Sequence, residues 1–154
     1  MAKAIGFRVE PQAMHWAIVE GSREAPVLVE SATVPTPKTY TEAQALSWFR
    51  SRARELVLRF EPRSGAIKYI EQIARGANAN SSRVRCRIEG VILQLLDEER
   101  LSIFTGNYRQ VSSQLGSESA KQYLTGNDLR GIDLSKVPGS RRDAILMAVA
   151  ALEA

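Results

Sequence analysis

The chain has 154 residues, 44% of them apolar and 25% charged, with a formal charge of +4 and an isoelectric point near 9.5. That length fits one domain, taken as residues 1–154, with a core of its own, and the modest basic excess permits an anionic partner without requiring one. The single cysteine, Cys86, excludes an internal disulfide and fits a reducing compartment; no run approaches the roughly 20 apolar residues that span a bilayer, and the first residues lack a leader's basic-then-apolar pattern, so a soluble, cytoplasmic protein with no membrane partner is expected.

Lys3–Glu10 reads as a first strand, and the short Pro11-Gln12 break before Ala13–Glu20 favours a hairpin. Gly21–Pro26 is a second turn, and Val27–Val34, rich in β-branched residues, is a third strand. Pro35 and Pro37 open a linker, after which Thr41-Glu-Ala-Gln carries a helix-start signal with an acid in its first turn. The helix is predicted to run to Phe60: Leu46, Phe49, Ala53, Leu56, Val57 and Phe60 share one face. Arg50, Arg52, Arg54 and Arg59 occupy the other, ordinarily a solvated face. Glu61-Pro62 ends the helix, because the residue before proline is pushed out of helical geometry.

Ala66–Glu71 is a short apolar run ending on a carboxylate, and reads as a buried strand that delivers Glu71 to a loop. Ser81 or Ser82 then caps a long helix with Val84, Ile88, Val91, Ile92, Leu95 and Leu96 on its inner side. Cys86 falls within this periodic stretch and is read as a core residue. Leu93 lies off the stripe, as Trp48 lies beside the apolar face of the first helix, and together they would leave apolar surface for self-association. Arg100–Thr105 is a fifth strand, followed by a short helix over Tyr108–Leu115, a further turn between Ser117 and Leu124, and a turn-rich connection from Asn127 to Gly139. Ser140-Arg-Arg-Asp143 opens a terminal helix that runs through Leu152.

Three antiparallel strands, a helix, a strand-helix-strand unit and a last helix is the order of the ribonuclease H-like α/β fold. Right-handed crossovers leave few arrangements, and the expected one is a five-stranded mixed sheet of order 3-2-1-4-5 flanked by helices. The C-terminal ends of strands one and four then face the start of the terminal helix, which is where a site belongs.

Ile5-Gly-Phe-Arg-Val-Glu-Pro11, Tyr69-Ile-Glu71, Arg87-Ile-Glu-Gly-Val-Ile-Leu93, Phe104-Thr-Gly-Asn-Tyr-Arg-Gln-Val111, Ser119-Ala-Lys-Gln-Tyr-Leu124 and Asp143-Ala-Ile-Leu-Met-Ala-Val-Ala150 resemble the RuvC-type Holliday-junction resolvases, in order and over nearly the whole chain. The resemblance implies a cluster of carboxylates that binds divalent metal, one acid on strand one, one at the end of strand four and others at the terminal helix. Glu71 matches the strand-four acid and Asp143 the last acid of the terminal helix. Where the family has an aspartate after the strand-one glycine this chain has Arg8, and one turn before Asp143 it has Ser140 in place of a common acid.

Two-metal phosphodiester cleavage needs several converging carboxylates, and a cation in place of one reverses the local charge. Arg8 is therefore expected to block the site by pairing with Glu71 or Asp143, or else to point to solvent. A shifted metal site of Glu10, Glu71 and Asp143 is the alternative, since Glu10 shares a strand face with Arg8 about 7 Å further along. Taken without the resemblance, Ser140-x-x-Asp143 also fits a capping box in which Asp143 reaches back to the helix start. His15, the only histidine, belongs to the second strand, and with no partner ligands zinc is not expected.

The favoured reading is a RuvC-like nucleic-acid-associated protein that lacks catalysis and cofactor, binding branched or duplex DNA through Arg75, Arg83, Arg85, Arg87, Arg141 and Arg142. The resemblance also implies a homodimer. The alternatives are a magnesium- or manganese-dependent, structure-selective DNA endonuclease using Glu10, Glu71 and Asp143, and a protein-interaction module with no nucleic-acid role.

Overall fold

The computed structural model describes residues 1–71 and 79–154. β1 (Lys3–Glu10) pairs antiparallel with β2 (Ala13–Gly21), and β2 with β3 (Pro26–Pro35). After α1 (Glu42–Phe60), β4 (Ser64–Lys68) lies parallel to β1, and after α2 (Ala79–Glu98), β5 (Ser102–Gly106) lies parallel to β4. The sheet order is β3-β2-β1-β4-β5, as the element order required. α3 (Tyr108–Gln114), a 3-10 turn (Ala120–Leu124), a hairpin of β6 (Asp128–Leu129) and β7 (Ile132–Asp133), and α4 (Gly139–Ala151) complete the chain.

Strand alternation divides the core between the two faces of the sheet. Ile5, Phe7 and Val9 of β1, with Met14, Trp16 and Ile18 of β2 and Ile67 of β4, meet Phe49, Ala53, Leu56 and Val57 of α1 and Ile88, Ile92, Leu95 and Leu96 of α2. Ala4, Ala17, Val19 and Ala66 face the opposite way, toward α3, α4 and the hairpin. Trp48 and Leu93 pack against the first layer and stay partly exposed, and Cys86 is half-buried rather than a core residue.

α1 starts as its sequence dictates. Thr41 caps it, its hydroxyl accepting from the Gln44 amide while the Gln44 side chain accepts from the Thr41 N–H, and Glu61 closes it in a left-handed conformation with φ of 50°. α4 is pressed onto β1 at Gly6, where an added Cβ would lie 2.1 Å from the Ala144 carbonyl oxygen and 2.4 Å from the Ala148 nitrogen. No side chain fits there. That contact sets the register of Asp143 against Arg8, two residues along the strand on the same face.

Three further expectations need correction. The fourth strand begins at Ser64 and ends at Lys68, so Glu71 stands beyond the ladder rather than at its last rung. α2 begins at Ala79, ahead of either serine proposed as its cap. α4 has Pro138 at its N-cap with no side-chain capping bond, and Asp143 turns into the protein instead of back to the helix start. Among the described residues no helix is long and apolar enough to cross a membrane.

Candidate functional site

The C-terminal ends of β1 and β4 and the first turns of α3 and α4 bring Arg8, Glu10, Lys68, Glu71, Tyr108, Ser140 and Asp143 together. Asp143, 1% exposed, uses both carboxylate oxygens: Oδ2 accepts from Arg8 Nη1, and Oδ1 accepts from the Tyr108 hydroxyl at 2.6 Å. Arg8 also stands 3.8 Å from Glu10, and its Nε is buried without a hydrogen-bond partner. Glu71 is not the partner of Arg8. Its Oε2 accepts from Lys68 Nζ and from the Tyr108 backbone N–H at 2.9 Å.

Lys68 and Tyr108 were assigned no role from sequence, yet they complete the cluster. Lys68 is 1% exposed, and its Nζ donates to Glu71 and, at 2.9 Å, to the Tyr69 carbonyl, while lying 4.0 Å from the centroid of the Tyr108 ring. Tyr108 thus touches both acids and the ammonium with its amide, hydroxyl and ring. The alternation of β4 carried the one available signal: Lys68 has the parity of Ala66, the α4 side of the sheet.

The charges respond accordingly. Burial lowers the Lys68 pKa, with Glu71 opposing the fall. Burial raises the Glu71 carboxyl, but the Lys68 and Tyr108 hydrogen bonds outweigh it and leave the group below its ordinary value. Tyr108 is held well above the usual phenol range by burial and by its bond to Asp143. Glu10 is held at about 2, chiefly by His15 and also by Ser140 and Arg8, against an opposing contribution from burial. Its Oε1 accepts from Ser140 Oγ at 2.7 Å and lies 3.3 Å from His15 Nε2, while Oε2 accepts from Gln12 at 3.0 Å. The sequence mismatch at Ser140 therefore has a local use, as a donor to Glu10.

A divalent ion does not fit these residues. Both oxygens of Asp143 are engaged, Oε2 of Glu71 is engaged, and two cations already stand among them. Like charges 4 Å apart repel by about 4 kcal/mol per unit pair at an effective dielectric of 20, and a dication doubles this. Among the described residues no group of three or more His, Cys, Asp or Glu is placed to hold a metal.

The arginines expected to meet nucleic acid have different surroundings. Arg83 is exposed on α2, and Arg87, also exposed, pairs with Glu42 at 2.6 Å. Arg85 is drawn inward onto Glu89 at 2.9 Å and the Lys68 carbonyl at 3.3 Å, and burial raises the Glu89 carboxyl against the pull of Arg85. Arg141 donates to Thr33 Oγ1 at 3.2 Å. Arg142 is spent inside the chain, donating to the carbonyls of Tyr123, Leu124, Gly126, Leu134 and Val137. Arg75 lies outside the described residues. A cleft of about 300 Å³ opens beside Glu10, between Pro11-Gln12, Ile70 and the Ser81, Ser82 and Arg85 side of α2.

By sequence the chain matches no family model and no curated protein. By structure it is similar to Thermus thermophilus RuvC in complex with a Holliday junction substrate, with a TM-score of 0.75 at 16% identity, covering 97% of this chain and 92% of that one. The fold is that of the RuvC resolvases. A second Thermus thermophilus RuvC structure gives a TM-score of 0.73 at 16% identity over 96% and 92% of the two chains. The yeast mitochondrial Holliday junction resolvase gives 0.63 at 10% identity over 97% and 78%. On this RuvC fold, the junction of β1, β4 and α4 holds three acids, Glu10, Glu71 and Asp143, and two cations, Arg8 and Lys68.

Proposed function

We propose that this chain is a RuvC-like nucleic-acid-binding protein that engages branched or duplex DNA without cleaving it, and that it works as a homodimer. The observation that carries the reading is the pairing of Asp143 with Arg8: the terminal-helix acid is satisfied by a side chain at the position where the resemblance calls for a carboxylate. The positions of Arg83 on α2 and of Arg141 at the start of α4, at the edge of the sheet where the cluster lies, support contact with phosphates. The partly exposed Trp48 and Leu93 support self-association.

Gel-shift titration of four-way-junction and duplex DNA at two salt concentrations, in the presence of a chelator, tests the binding. Affinity should be largely independent of sequence and fall with salt at a slope near −0.9 per phosphate neutralised on the duplex. It should weaken when Arg83 and Arg87 are changed together to glutamate. No binding at low salt would move the protein to the interaction-module reading. Magnesium- or manganese-dependent cleavage that disappears in Glu71→Gln would establish instead a nuclease built on Glu10, Glu71 and Asp143. Light scattering should give a mass above the 17.0 kDa of one chain.

A further inference from the structure

Lys68 occupies a place that only the alternation of β4 hinted at. The last residue of β4, it projects to the α4 side of the sheet and ends almost wholly buried. An ammonium has three hydrogens to place, and the neighbours of Nζ are all acceptors: the Glu71 carboxylate, the Tyr69 carbonyl and the face of the Tyr108 ring. Arg8 shares none of the first two. Its partner is Asp143, and among the described residues Tyr108 hydrogen-bonds to both halves of the cluster, its N–H going to Glu71 and its hydroxyl to Asp143.

We infer that Lys68 is a resident cation that closes the Glu71 side of the site to divalent metal independently of Arg8, so two separate substitutions stand between this chain and a metal centre. The inference rests on the reading above, that these acids hold no metal, and adds the residue that enforces it. Placing a carboxylate at position 8 releases Asp143 from its cation but leaves Glu71 paired and a buried positive charge beside the vacated space. Removing Lys68 alone releases Glu71 from its cation but leaves Arg8 on Asp143. Only the double change presents both acids together with a new one.

The test compares manganese binding in the wild type, Arg8→Asp, Lys68→Met and the double variant, read by loss of the free-ion electron paramagnetic resonance signal and by the shift in melting temperature on adding manganese. The double variant should bind saturably, more tightly than Arg8→Asp by about tenfold or more, gain stability from the metal, and lose both when Glu71→Gln is added. Arg8→Asp binding as tightly as the double variant would overturn the role of Lys68, as would a folded double variant that ignores manganese. Should Arg8→Asp fail to fold, Arg8→Asn, which removes the cation without adding a charge, takes its place in the same comparison. Saturable binding by the wild type, lost in Glu71→Gln, would instead defeat the non-catalytic reading itself, and the gel shift in chelator reports on nucleic-acid binding separately.

Discussion

The ion pairs of α1 and those at the ends of β1 and β4 use similar side chains in opposite surroundings. On α1, Arg52 meets Glu55 at 3.3 Å, Arg54 meets Glu99 at 3.6 Å, Arg59 meets Glu30 at 3.2 Å, and Arg50 pairs with Glu98, all with solvent at hand. At the strand ends, Arg8 and Lys68 hold Asp143 and Glu71 with Asp143 and Lys68 almost entirely out of water. A broken exposed pair is rehydrated, whereas a broken buried pair strands a charge. The basic face of α1, read from the sequence as a solvated one, is largely neutralised by Glu55 of α1 and by Glu30, Glu98 and Glu99 of neighbouring segments; the cations that matter for the site are the ones held on acids at the strand ends.

Arg8→Met tests the contrast most severely. It leaves Asp143 buried with only the Tyr108 hydroxyl, and should cost about 3–5 kcal/mol in urea unfolding at neutral pH. Adding Asp143→Asn should recover part of that loss. Tyr108→Phe should cost about 1–3 kcal/mol by removing one donor from a buried carboxylate, which a smaller shift in the urea midpoint would show.

Glu10 supplies a pH-dependent version. Its carboxyl titrates at about 2 in the folded chain against 4.5 as its ordinary value. The unfolded chain therefore takes up the proton first, and the stabilisation present above pH 4.5 is lost as the pH falls toward 2. After allowance for partial exposure this amounts to about 1–2 kcal/mol, and Glu10→Gln should flatten the stability profile across that window. The smallest effects belong to α1: Arg52→Ala and Arg59→Ala should each stay within about 1 kcal/mol of the wild type. If either matched Arg8→Met, depth would not be what separates the two sets.

Depth is also what divided the legible from the illegible in the sequence. The strands and α1 could be read because turn residues and helical periodicity are local, and the sheet order followed from their succession and right-handed crossovers. Glu71 and Asp143 lie near the junction, Glu71 beyond the last rung of β4, and of their partners only Arg8, as the counter-ion of Asp143, was legible; Lys68 and Tyr108 were not. Lys68 sits in an apolar run where a single charged residue looks like a strand position facing water, and only the packing of α4 across the sheet turns that face inward. Arg142 looked like a phosphate ligand because nothing local reveals the five carbonyls folded around it. The end of β4 was overrun for the same reason: Tyr69 and Ile70 are apolar, but the Tyr69 carbonyl is used by Lys68 rather than left to a ladder.

The guanidinium of Arg142 acts on the segment from Tyr123 to Val137 much as a bound cation acts on a chelating loop. Five carbonyl oxygens, from the end of the 3-10 turn and from the segment around one short hairpin, converge on a single group, which belongs to the first turn of α4. The anchor sits on α4, the helix packed against Gly6 of β1, so the closed segment is tied through Arg142 to that helix and through it to the central sheet. Hydrogen exchange would register this as one cooperative unit, with amides of the hairpin opening together with the N-terminal turn of α4. A lysine at position 142 keeps the charge but offers three hydrogens where the guanidinium offers five, enough to retain the helix and too few to gather the loop.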